Sequence, residues 1–173
     1  MNLPEKFLRT EELSDQLKVI TLEEFVDYIL TYDVAFNDEI IDNVCVYSIL
    51  IGAVYSENIE IIEFLLEENM VKLNEISPCC DQPILVEILF AVFDHLHDQG
   101  NPKPNYSIVN PIINAFLSSE ELDINLSGPD GMTALDMACK WNNKEAQQML
   151  IEKGAIANCY ELTPWGPKLK KEK

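Results

Sequence analysis

The segment Thr133–Gly154, TALDMACKWNNKEAQQMLIEKG, has a degenerate copy 85 residues earlier at Ser48–Asn69, SILIGAVYSENIEIIEFLLEEN, and the two align without a gap. Each copy has apolar residues at helical spacing on both sides of a short polar break. This pattern predicts a helix, a tight turn and a second helix, and its recurrence predicts a repeat protein. The matching positions are Leu50 with Leu135, Ala53 with Ala138, Asn58 with Asn143, Glu60 with Glu145, Leu65 with Leu150 and Glu67 with Glu152.

Weaker copies of the second helix occur at Leu22–Asn37 and Ile108–Asn125, where an apolar helical pattern is again followed by an asparagine. The separation from Leu117 to Leu150 is 33 residues, whereas that from Leu65 to Leu117 is 52. The third copy therefore carries about 19 extra residues. We place them in a long apolar helix at Pro83–Leu96 and in a Gly- and Pro-containing loop at His97–Asn105.

The segment Asp130–Ala138, DGMTALDMA, followed by Glu145 to Ala155, resembles one ankyrin repeat. The family pattern there is D-x-x-G-x-T-P-L-H-x-A, a second helix and L-L-x-x-G-A-D-V-N; Ala134 replaces the usual proline and Asp136 the usual histidine. The resemblance implies an all-α, ankyrin-like helical-repeat solenoid with divergent caps and an insertion in the third repeat. It implies four repeats, at about 10–40, 41–76, 77–127 and 128–160, within one domain spanning 1–167.

Local signals agree with these helix boundaries. Thr133 is predicted to cap the first helix of the last repeat at its N-terminus. Gly154 and Asn69 are predicted to end second helices in the left-handed conformation. Pro83 suits the first turn of its helix. Trp165 is predicted to cover the exposed end of the stack.

The charge is strongly one-sided, with 30 acidic and 12 basic side chains and a net charge of -18. Residues 1–75 alone carry -13, and this excess would repel phosphate backbones, so we expect no binding to nucleic acid. It would instead attract a basic protein partner. The lysine-rich end at 168–173 is expected to be a solubilising, disordered tail.

Other patterns exclude further classes. The N-terminus has no apolar signal core, and the apolar stretch Ile84–Phe93 is too short to span a bilayer. Five cysteines, two of them adjacent at Cys79 and Cys80, favour a reducing compartment. We therefore expect no contact with a membrane, and a cytoplasmic protein or one delivered into a host or target cell.

Catalysis and metal binding have little support in the sequence. His95 and His97, with Cys79 and Cys80, match no zinc-ligand spacing, and the end of a helix is an ordinary place for histidines. No nucleophile motif or phosphate-binding glycine loop is present in the sequence. We predict no enzyme activity, no cofactor and no metal. An enzyme would have to depend on a residue such as His95.

The resemblance also implies which residues meet a partner. In ankyrin domains these are usually the residue before the T-P-L triplet and the two residues after the alanine that ends the first-helix motif, all on the concave face. Trp141 could alternatively pack against a following repeat or the C-terminal segment. The predicted protein-binding residues are Tyr47, Tyr55, Ser56, Asp81, Met132, Lys140 and Trp141, with Cys79 and Cys80 beside Asp81.

Two functions follow as expectations. The first is a monomeric, non-catalytic protein–protein interaction module that holds its partner on the concave face. The second is an acidic stoichiometric inhibitor or immunity protein that neutralises a basic toxin or nuclease. The second expectation rests on the net charge of -18.

Overall fold

A computed structural model describes residues 17–31, 46–76, 81–98, 106–164 and 166–170; the side chains at 28–31, 46–48, 94–98 and 106–109 are outside this description. The described part contains seven helices and one antiparallel pair of strands. The chain divides into two compact units, Met1–Val71 and Lys72–Lys173. The elements are α1 (Leu22–Thr31), α2 (Val46–Tyr55), α3 (Ile59–Glu67), α4 (Ile84–Asp98), α5 (Tyr106–Leu117), α6 (Ala134–Lys140), α7 (Lys144–Glu152), β1 (Tyr160–Thr163) and β2 (Gly166–Leu169).

The N-terminal unit is built around the helix pair α2–α3, with α1 packed on α3. Its core consists of aliphatic side chains and Phe25, whose ring meets Phe64 edge-on at a centroid distance of 6.2 Å. The side chain of Asn58 caps α3 by accepting a hydrogen bond from Ile61 N–H, and it donates to the carbonyl of Leu17. One asparagine thus starts a helix and holds the preceding segment of chain.

The C-terminal unit contains two neighbouring helix pairs, α4–α5 and α6–α7. The first helices of the pairs, α4 and α6, pack on each other, and so do the second helices, α5 and α7. Their shared core contains Ile88, Leu89, Phe93, Phe116 and Leu150, all fully buried. This arrangement confirms the helix–turn–helix interpretation of Thr133–Gly154 and the long helix predicted from Pro83.

The turns within the two aligned copies have the same geometry. Glu57 and Asn142 both adopt positive φ, 59° and 53°, between the helices of their pairs. The following residues, Asn58 and Asn143, both cap the second helix. Asn143 also donates to the buried Asn110 Oδ1 at 3.2 Å. The gapless alignment is therefore correct at the level of single backbone conformations.

The predicted helix ends are also confirmed. Asn69 and Gly154 have φ values of 52° and 89°, which is the left-handed conformation expected after a second helix. In both places the following N–H returns to a carbonyl of the last helical turn, Met70 to Leu65 and Ala155 to Leu150.

Asparagine side chains join successive loops in the C-terminal unit. Asn74 donates to the carbonyl of Glu121 at 2.6 Å and accepts from Asp123 N–H at 2.7 Å. Asn125 makes the same pair of bonds to Gly154 and Ile156. The first link spans 47 residues and the second 29, so the insertion is 18 residues by this measure. Part of it is the 15-residue α4; residues 99–105 lie outside the described residues.

The C-terminal segment differs from the all-α expectation, because β1 and β2 form an antiparallel hairpin. Lys168 and Leu169 belong to β2, and the N–H of Lys170 donates to the carbonyl of Cys159 at 2.8 Å. The prediction of disorder is therefore wrong for residues 168–170, where strand pairing and a bond from Lys170 Nζ to the carbonyl of Ala157 hold the chain. Trp165 and 171–173 lie outside the described residues. No helix in the described part of the chain is long and apolar enough to cross a bilayer.

Candidate functional site

Three side chains form an exposed surface where α4 and α6 pack together. We call Phe90, Lys140 and Trp141 the aromatic surface. Phe90 lies on α4 and is 45 % exposed. Lys140 is the last residue of α6 and is exposed, with Nζ 6.0 Å from the centroid of the Phe90 ring. Trp141 is the C-cap of α6 and is half-buried.

The position of Trp141 is fixed by a neighbour on α4. Its indole stacks on the ring of Phe93, with centroids 5.7 Å apart and planes 23° apart. Phe93 is fully buried, so it anchors the indole in one orientation. The sequence offered packing against a following repeat or the C-terminal segment as the alternative for Trp141. The indole instead packs against the preceding helix pair, and only part of it faces outward.

The chemistry of this surface suits recognition rather than reaction. An ammonium over an aromatic face gains electrostatic attraction, and more of it when the pair is desolvated. Aromatic and cationic side chains at the centre of a contact carry most of the affinity in typical protein interfaces. Phe90 and Trp141 offer apolar area here, and Lys140 adds a charge held over Phe90.

The other predicted residues of the C-terminal unit lie at the helix starts. Met132 precedes the N-cap of α6 and is half-buried, with its N–H donating to Asp130 Oδ1. Because α6 has seven residues, Met132 lies about 10 Å from Trp141 along the helix axis. Asp81 is exposed, has a φ of 55° and stands before α4. Cys79 and Cys80 lie outside the described residues.

The predicted residues of the N-terminal unit lie at both ends of α2. Tyr55 is half-buried at the end of the helix. Ser56 uses its hydroxyl locally, donating to the carbonyl of Ala53 at 3.0 Å. Tyr47 is in the first turn of α2, but its side chain is outside the described residues. This group therefore forms a separate candidate site within its own unit.

Sequence reasoning missed Phe90, although a signal was present. Along α4, Glu87 and Asp94 are three residues before and four residues after Phe90, so all three share one face of the helix. That face is otherwise polar, whereas Phe93 belongs to the buried face. An aromatic residue in a polar stripe was therefore the feature to look for.

A buried carboxylate, Asp136, organises the end of the same unit. It is fully buried in α6, and its two oxygens accept five hydrogen bonds. Oδ2 accepts from the N–H and hydroxyl of Thr133, both at 3.0 Å, which completes the predicted N-cap as a capping box. The remaining bonds come from the backbone N–H groups of Asn158, Cys159 and Tyr160, at 2.8–3.0 Å. Asp136 thus ties α6 to the start of the hairpin.

Two thiols lie near this carboxylate. Burial, and secondarily the charge of Asp136, raises the pKa of Cys139 to about 11. Burial is also the main cause that raises the pKa of Cys159. Both thiols are therefore protonated at neutral pH and weakly nucleophilic. No group of three or more His, Cys, Asp or Glu suited to a metal ion occurs in the described part; the side chains of His95 and His97 lie outside it.

We expect Cys139 to resist alkylation in the folded protein at pH 8, while the half-buried Cys159 reacts. The pKa of Cys139 is raised in the folded state, so its contribution to stability is complete below pH 9 and is lost as the pH rises towards 11. Peptide mass spectrometry after iodoacetamide treatment measures the first effect, and denaturant melts across pH 9–11 measure the second. Cys139→Ala is the control that removes this alkaline loss. Equal labelling of the two thiols in folded protein would contradict the expectation.

The comparisons with known proteins agree on one short region. The Ankyrin repeat family model matches residues 130–161. The human transient receptor potential cation channel subfamily A member 1 is 44 % identical over 46 residues, which is 27 % of this chain and 4 % of that channel. The match thus spans a small fraction of the channel's length. No solved structure matches the chain.

Proposed function

Because residues 130–161 form an ankyrin repeat, we propose that this protein is a non-catalytic module that binds a protein partner through the aromatic surface. Ankyrin repeats generally mediate protein–protein interaction and are generally not catalytic. The observation that carries the proposal is the exposure of Phe90 beside Lys140 and Trp141. Exposed aromatic area next to a cation is what an interface hot spot requires.

The position of this surface within the repeats supports the proposal. It lies on α4 and α6, the first helices of their pairs, which the resemblance assigns to the concave face. Met132 and Asp81 extend the proposed contact toward the loops before these helices. Tyr55 and Ser56 align with Lys140 and Trp141. Together with Tyr47, they are proposed contacts of the N-terminal unit by itself.

The experiment is affinity capture of the partner from the native cell, followed by titration of the purified partner with variants. We expect Phe90→Ala and Lys140→Glu each to raise the Kd about tenfold or more. Ile151→Ala is the matched control, because Ile151 is 40 % exposed but lies on α7, a second helix. Its Kd should change by less than about twofold. Equal Kd values for Phe90→Ala and the parent chain would refute the proposed surface.

A second candidate function is the acidic inhibitor of a basic protein. It is favoured by the exposed carboxylates of the N-terminal unit, where Lys18 is the cation among the described residues before Lys72. These acidic residues are Glu23, Glu24, Asp27, Glu57, Glu60, Glu63, Glu67 and Glu68. Electrostatic steering predicts an association rate that falls about tenfold or more between about 20 mM and 500 mM salt. A rate that is flat over this range would exclude this candidate and leave the first one standing.

A further inference from the structure

The C-terminal hairpin has one apolar and one polar face. In its register Tyr160 pairs with Leu169, and Leu162 pairs with Pro167. Because side chains alternate along a strand, these four lie on one face. The other face contains Glu161 opposite Lys168 and Thr163 opposite Gly166. The hairpin is therefore an amphipathic element.

The apolar face is covered at one end and exposed at the other. Tyr160 is half-buried, and its N–H is bonded to Asp136, which holds this corner against α6. Leu162 and Leu169, by contrast, are 45 % and 63 % exposed. They are diagonal neighbours in the ladder, so their side chains are within reach of each other. A two-stranded hairpin gains stability when such a face is packed against another layer.

The outer edge of the hairpin does not favour addition of another strand. The bond from Lys170 N–H to the carbonyl of Cys159 makes that pair a hydrogen-bonded one. In the alternating antiparallel pattern, the nitrogens of Pro167 and Leu169 then point away from β1. Pro167 has no N–H to donate, and proline on an edge blunts strand pairing. A binding partner is therefore expected to pack on the apolar face rather than extend the sheet.

We propose that the apolar face of this hairpin is a self-association surface that packs on the same face of a second copy. The first argument is charge. The chain carries -18 overall, so two copies repel each other over most of their surface. Residues 151–170 instead carry three lysines and two glutamates, a net +1. This segment is where two copies can approach without a charge penalty, whereas a basic partner would be drawn to the acidic N-terminal unit.

The second argument is that the face can complement itself. A two-fold contact requires residue i to meet residue j while j meets i. Leu162 and Leu169 provide such a pair, because each leucine of one copy can cover the other leucine of the second copy. Every substitution there changes two equivalent contacts in the dimer. This replaces the sequence expectation of a monomer, which rested on no feature of the hairpin.

The test is sedimentation velocity of the full chain from about 5 µM to 300 µM, at low and high salt. We expect a dimer whose population rises with concentration and also with salt, since salt screens repulsion and strengthens apolar contact. Leu169→Asp and Leu162→Asp should each weaken the dimer about 30-fold or more. Lys168→Gln is the matched control on the polar face and should dimerise like the parent chain.

Two results would overturn the proposal: a monomer at every concentration, or a dimer that both leucine variants leave intact. Circular dichroism and melting temperature establish that the variants are folded, and Leu169→Ala serves as a milder change should an aspartate unfold the hairpin. Self-association is independent of the proposed function. Leu169→Asp should still bind the captured partner, and Phe90→Ala should still dimerise.

Discussion

Replacing Asp136 with alanine is expected to lower the free energy of unfolding by about 3–5 kcal/mol, the range for removing one member of a buried charged network. The carboxylate accepts five hydrogen bonds and is fully buried. Alanine would leave the Thr133 hydroxyl without this acceptor, and four backbone N–H groups would lose theirs. Each buried donor without an acceptor costs about 1–3 kcal/mol.

The effect should be concentrated at the hairpin. Hydrogen exchange should show loss of protection at the amides of Asn158 to Tyr160, together with a lower denaturant midpoint. Asp130→Ala is the matched control, since Asp130 is exposed and accepts a bond from Met132 N–H. Its cost should stay below about 1 kcal/mol. If both variants unfold at the same midpoint, the Asp136 network contributes little to stability.

Replacing Phe93 with alanine is expected to cost about 3–5 kcal/mol, as for other fully buried phenylalanines. Phe93 is fully buried in α4 and supports the indole of Trp141. Its removal leaves a cavity between α4 and α6 and frees Trp141 to reorient. The variant should therefore lose partner binding as well as stability.

The matched control is Phe90→Ala, which removes the same side chain three residues away on the exposed face of α4. It should leave stability within about 1 kcal/mol of the parent chain. Denaturant melts measure both variants. In a Trp165→Phe background the emission of Trp141 should shift to the red for Phe93→Ala alone. An unshifted emission with unchanged stability would show that Phe93 does not position the indole.

The features predictable from sequence were those set by neighbouring residues. Asn58, Asn143, Thr133 and Gly154 cap or end helices through bonds to residues within four positions, so their roles are readable from spacing. The long helix α4 was predictable for the same reason, because its apolar pattern is continuous.

The features that sequence reasoning missed depend on contacts distant along the chain. Asp136 stood out only as a departure from the ankyrin pattern, and its partners at Asn158 and Tyr160 are 22 and 24 residues away. The hairpin was missed because its lysine-rich composition is typical of disorder. Its order comes from this anchor and from strand register, neither of which composition reports. Within the candidate site, Lys140 and Trp141 were predicted, and Phe90 was not.

The asparagine links between loops have a consequence for how this chain tolerates change in length. Asn74 and Asn125 make the same pair of bonds, although 18 more residues separate the partners of the first. Loop spacing is thus set by two bonds and is independent of the length of the helix pair between them. Insertion or deletion within 99–105 should leave both links in place. This segment is the natural position for grafting a peptide into the protein.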